Sequence, residues 1–226
     1  TGSWTDWQMA TTSTSATFTG ENGHTYYFRC RARDNAGNVE DWPATSDTQT
    51  TIQVAGPPAP SYVNDGLTPP DIDFTNSTNQ LSANWASVSG AYGYQVAIGT
   101  SPTSTDVLNW TDVGNVTSTT RTGLTLSHGT TYYFLVRAYD ANHIAGGSAS
   151  SDGITVDTQP PSSQVNSLPS TTPSLSFTVS WSGTDDLSGI QNYDVQYRDG
   201  DTGSWTDWQM ATTSTSATFT GENGHT

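Results

Sequence analysis

The side chains of this 226-residue sequence that could carry chemistry are few: four histidines, one cysteine and two acid-rich loops. General base catalysis needs a histidine with an orienting group within hydrogen-bond reach. His24 and His225 occupy the same position of a repeated stretch, His128 is its near-equivalent, and His143 stands alone in a loop. Each reads as a solvated turn residue rather than a proton carrier. Cys30 falls at an inward position of a strand pattern, where cysteine behaves as a small hydrophobe. Neither a glycine-rich phosphate loop nor a zinc spacing occurs. The sequence therefore predicts no catalytic residue, no organic cofactor and no enzymatic activity.

Oxygen ligands are better represented. GTDDLSG at 183–189 and RDNAGNVED at 33–41 offer Asp185, Asp186, Asp34, Asn35 and Asn38, the hard donors that calcium prefers. The competing reading is that DNAGN is a turn, since Asn, Asp and Gly cap such bends and tolerate left-handed backbone. Trp4 and Trp7, repeated as Trp205 and Trp208, and Trp110 form a second set. The WTDW spacing puts its two indoles on opposite faces of a strand, so at most one packs and the other is free to stack on a sugar or a neighbouring chain. Covering the edge of a sheet is the alternative role for both. Asn76, Asn109 and Asn115 each begin an Asn-x-Ser/Thr acceptor for N-linked glycan.

Positioning these groups falls to a scaffold with an internal repeat. TGSWTDWQMATTSTSATFTGENGHT occupies residues 1–25 and again 202–226, a displacement of 201 positions. Turn signals and alternating apolar residues run through the duplicated text, so it reads as the middle of a folding unit. The expectation is a window on a tandem array, cut inside a domain. Hydrophobic residues make up 32% and charged ones 12%, with Ser, Thr, Gly and Asn abundant, which favours short strands joined by polar turns. A net charge of -15 opposes a nucleic-acid partner. With a single cysteine, no disulfide can form within one copy. Without lysine, no Lys–Asn isopeptide staple can form either. No apolar run reaches the ~18 residues of a membrane span.

Prolines mark the joints. GPPAP at 56–60 and TQPPSS at 158–163 favour extended, stiff connections. They divide the sequence into 1–56, 57–157 and 158–226. In the middle piece Leu81, Ala83 and Trp85 alternate, as do Tyr94, Val96 and Ile98, and then Tyr132, Phe134, Val136 and Ala138. Such alternation belongs to antiparallel sheets packed on one face. The last piece repeats it with Phe177, Val179 and Trp181, then Tyr193, Val195 and Tyr197; the first piece does so with Tyr26, Phe28, Cys30 and Ala32. Joining 158–226 onto 26–56 yields a second complete unit, so 1–56 and 158–226 read as the C-terminal and N-terminal portions of one domain type.

Both units resemble fibronectin type III domains, all-β sandwiches of the immunoglobulin-like class. The resemblance rests on Trp85 and Trp181 in the second strand, Tyr94 with Val96 and Tyr193 with Val195 in the third, and GHTY at 23–26 and GTTY at 129–132 leading into the sixth. It implies that Tyr26 and Tyr132 are corner residues whose hydroxyls bond back to the chain. The sequence departs from the pattern at GEN, residues 20–22, where the other unit has LSH at 126–128. It also implies that 183–189 and 33–41 of a neighbouring copy share one pole, which would gather the calcium ligands once per repeat.

The function expected is structural: an extracellular or cell-surface stalk, fibre or filament of tandem sandwiches. Its partners would be neighbouring copies of itself, covalent or lateral, with glycans as a further option. The alternatives are an adhesin or carbohydrate-binding repeat, in which repeated Trp supplies weak contacts multiplied by avidity, and a spacer within a large secreted hydrolase.

Overall fold

The computed structural model describes residues 3–226. The chain divides into two compact units, Thr1–Gly56 and Pro57–Thr226. Among the described residues every regular element is a strand.

The larger unit begins with two facing sheets. One contains β3 (Val63–Asp65), β5 (Gln80–Trp85) and β8 (Ser118–Thr122), in the order β3-β5-β8 and antiparallel throughout. The other runs β4-β11-β9-β6-β7, with β10 also paired to β9. Its members are β4 (Phe74–Thr75), β6 (Gly93–Gly99), β7 (Leu108–Gly114), β9 (Thr131–Tyr139), β10 (Ala145–Ser150) and β11 (Ile154–Val156). Only β4 with β11 is parallel. The alternating residues face one another across the gap: Leu81, Ala83 and Trp85 from one sheet meet Tyr94, Val96, Ile98, Tyr132, Phe134, Val136 and Ala138 from the other, all buried. With the short β4 and β11 set aside, the first, second and fifth strands (β3, β5, β8) on one sheet against the third, fourth, sixth and seventh (β6, β7, β9, β10) on the other define the topology. The fold is an immunoglobulin-like β-sandwich of the fibronectin type III type.

The outward face of the larger sheet is drier than strict alternation predicts. Ala97 and Leu135 are register partners across β6 and β9 and are buried, as is Tyr139. The linker lies against β10. Pro57 and Pro60 are buried, and a Cβ at Gly146 would overlap the Pro57 carbonyl, so β10 needs glycine there for the linker to lie down.

Residues 158–226 reproduce part of the same plan. β12 (Ser162–Val165), β13 (Ser176–Thr184) and β16 (Ser216–Thr220) form a sheet in the order β12-β13-β16, matching β3-β5-β8. β14 (Tyr193–Tyr197) pairs with β15 (Thr206–Thr212), matching β6 and β7. Within this stretch nothing corresponds to β9, β10 and β11, and the core shrinks accordingly. Three residues are buried in it, Val179, Trp181 and Val195, against fourteen in the preceding sandwich.

The smaller unit contains the missing kind of element, an antiparallel pair of β1 (Thr25–Phe28) and β2 (Thr48–Thr51). The inward row expected through Cys30 and Ala32 stops at Phe28. Both residues are exposed, because no opposing sheet within the unit covers them.

The duplicated text adopts two outcomes. At 206–220 it forms β15 and β16, whereas residues 3–24 join no ladder. Local conformation is nonetheless shared. Ala10 and Ala211, the same repeat position, both have φ of 48°. Trp7 meets Phe18 edge-on at 5.4 Å and 87°, and Trp208 meets Phe219 at 5.4 Å and 83°. A strand is defined by its neighbours, and only the second copy has β13 and β14 beside it.

Candidate functional site

Three places gather functional types of side chain: a polar joint, a tryptophan face and the acidic loops.

The joint lies where β11 leads into β12. His128, in the turn before β9, accepts the Thr158 N–H at Nδ1 over 3.1 Å, which leaves the ring proton on Nε2. From there it donates to Asp186 Oδ2 at 3.1 Å. Buried Asp157 accepts the Ser188 N–H at Oδ2 and the Gln159 N–H at Oδ1, both at 3.1 Å, and lies 3.7 Å from His128 Nδ1. The Ser188 hydroxyl and amide, the Gln159 amide and the nearby His128 ring hold the Asp157 carboxyl below the usual range, against a smaller opposing push from burial. These bonds run from one sandwich to the start of the next across the proline linker. His128, expected from the sequence to be a solvated turn residue, is therefore a connector.

In each piece of the chain an arginine lies over a tryptophan, though not always from the equivalent strand. Arg137 on β9 stacks on Trp110 of β7 at 4.2 Å and donates Nε–H to Gln95 Oε1 at 2.8 Å. In the smaller unit Arg29 covers Trp4 at 4.0 Å and shares Trp42 with Arg31. Near the end of the chain Arg198 covers Trp205 at 5.0 Å. In the second copy the two indoles of WTDW differ: Trp208 packs edge-on against Trp181 at 6.0 Å, while Trp205 stays 60% exposed. In the first copy both Trp4 and Trp7 are exposed, since no strand carries them.

Two of the acids proposed for calcium, Asp34 and Asp185, accept the amides of their own turns. Asp34 Oδ1 accepts the Ala36 and Asn38 amides at 2.9 and 2.8 Å, and Oδ2 accepts the Asn38 side-chain N–H at 2.8 Å. Those bonds, the Asn38 side chain first, lower its pKa. Asn35 is exposed in the same bend. Asp185 Oδ1 accepts the Leu187 and Gly189 amides at 3.1 and 2.8 Å, and Asp186 pairs with His128. Asn76, Asn109 and Asn115 are all exposed, Asn109 on β7 and the other two in loops.

Sequence reasoning missed one group. Asp65 ends β3 at an inward position with no exposure, and Asp71 and Asp152 each bring a carboxylate oxygen to it, the three within 4.8 Å of one another. Burial pushes the Asp65 carboxyl up to about 7; the Asp71 and Asp152 charges add to this, while the Ser151 hydroxyl and Gly153 amide oppose it. Asp71 is raised too, by burial and then by Asp152. The available signal was an acid, Asp65, in phase with apolar Val63.

No family model matches the chain, and no curated protein matches it. Among solved structures, the FN1–FN3 domains of chicken CNTN1 are 18% identical, with 88% of this chain and 67% of that one covered, at a TM-score of 0.37. So loose a superposition adds no weight to the assignment, which rests on strand order.

Proposed function

We propose that the chain is a non-enzymatic structural protein of the cell exterior, a stalk or filament of covalently linked tandem β-sandwiches. One observation carries this. The text that holds β15 and β16 at 202–226 recurs at 1–25, directly ahead of the strand pair β1–β2, so residues 158–226 and 26–56 supply successive strands of one sandwich type. Apolar surface is exposed on both parts. Tyr197, Trp205 and Met210 are exposed beside β14 and β15, and Tyr27, Trp4 and Trp7 are exposed around β1. Such surface and unpaired edges call for a partner, and successive strands of one continuous repeat are of the matching type. The bonded joint at His128, Asp157 and Asp186 supports an extended string over a loose chain of beads. Sugar stacking at Trp4, Trp110 and Trp205 is less favoured, because an arginine already occupies one face of each ring.

The test is a single chain in which residues 158–226 are followed directly by 26–56. It should unfold in one cooperative transition, with the near-ultraviolet signal of a packed core. A molten chain lacking such a transition, from a sequence about the size of one sandwich domain, would overturn the proposal.

A further inference from the structure

We propose that Asp65, Asp71 and Asp152 form a calcium site that ties the loop after β3 to the turn between β10 and β11. The site is separate from the loop acids Asp34 and Asp185 and does not depend on how copies associate.

Geometry comes first. One carboxylate oxygen from each residue lies within 4.8 Å of the others. Two oxygens bound to one calcium ion at 2.3–2.6 Å can lie up to about 5 Å apart, so the three fit a single coordination sphere without rearrangement. Magnesium, at 2.0–2.1 Å, would require them to close to about 4 Å and keeps most of its water. Zinc selects nitrogen and sulfur, and this cluster holds only oxygen.

The second observation is independent of the clustering. Asp65 is fully buried, and neither of its side-chain oxygens has a hydrogen-bond partner in good geometry; the nearby Ser151 hydroxyl and Gly153 amide offset only part of the cost of its burial. Among the described residues the only other buried side-chain polar atoms without a partner are the indole nitrogens of Trp85 and Trp181. A buried carboxylate needs either hydrogen bonds or a counter-charge. No protein cation provides one, since the ion pairs among the described residues involve only His24, His128 and His225. Asp65 shares its inward side with Val63 and belongs to a strand in register with Trp85, Asn84 and Ala83. Asp71 is held in place by accepting the Asp65 N–H. Exposed Asp152 leaves the site open to solvent and gives the ion a way in. The remaining route to neutrality is a proton shared among the carboxyls, and that is the alternative the experiment must separate.

The experiment uses the full chain, stripped with a chelator and titrated with calcium chloride at pH 7.5 in 150 mM salt. Calorimetry should show one saturable site, and calcium at a hundredfold excess over its Kd should raise the melting temperature by about 5 °C or more. Both effects should vanish in Asp71→Asn and Asp152→Asn, which lie outside the core, and persist in Asp34→Asn. Asp65→Asn should melt no lower than the calcium-free wild type and lose the response. The proposal is overturned if the wild type shows neither saturable heat nor a shift, as a proton-sharing cluster would. It is equally overturned if magnesium at the same concentration does as well, or if any of the three cluster variants keeps the full shift.

Discussion

Tyr132 and Tyr26 each receive a backbone N–H from five residues upstream, Ser127 at 3.0 Å and Glu21 at 2.8 Å. The corner that the GTTY and GHTY lead-ins imply is thus present in both units, although one contains a full sandwich and the other a lone strand pair. The bond is local, so it needs no opposing sheet. Replacing Tyr132 with Phe keeps the buried ring and leaves the Ser127 amide without its acceptor. The expected loss is about 1–2 kcal/mol, read as a lower urea midpoint with unchanged slope. An unshifted midpoint would mean that water replaces the hydroxyl at no cost. Legibility at this scale followed range. The corner bonds span five residues and could be anticipated, whereas His128 and Asp186 meet across 58 positions and could not.

Strands were legible where burial enforces a two-residue period, as in Leu81, Ala83 and Trp85, all of which are buried. They were not legible where the ladder partner lies elsewhere, which is why identical text is β15 and β16 at one place and unpaired at another. What the text itself encodes is the bend. Ala211 sits in left-handed backbone where β15 slips register against β14 between Tyr193 and Val195, and its amide is held by Asp194 Oδ1 at 2.7 Å. Ala10 bends identically without that ladder, so the conformation precedes the pairing. An L-residue there carries strain that glycine would not. Ala211→Gly should therefore stabilise the chain by about 0.5–1 kcal/mol, and Ala211→Val should destabilise it, in paired thermal melts. Equal melting of all three would show that the bulge is imposed by the sheet and carries no local cost.

For the molecule as a whole, the deciding property is whether a sandwich transmits its orientation to the next. Prolines alone restrict a linker; the joint adds direct bonds, because the Thr158 amide is anchored on His128 and the Ser188 amide on Asp157. Asp157 has its carboxyl pKa lowered in the folded state, so its contribution is present above the unfolded value, about 3.9, and is lost as pH falls through the lower folded value. The Asp157 bonds to Ser188 and Gln159 should thus hold through neutral and mildly acidic solution and release only below about pH 4. Amide exchange followed by NMR reads it residue by residue. His128→Ala should lower protection of Thr158, and Asp157→Ala that of Ser188, each about tenfold, the equivalent of one hydrogen bond, with the core amides of β6 and β9 unchanged. If both amides exchange at unprotected rates in the wild type at pH 6, the sandwiches pivot freely on their prolines, and a stiff filament would have to draw its rigidity from lateral contacts instead.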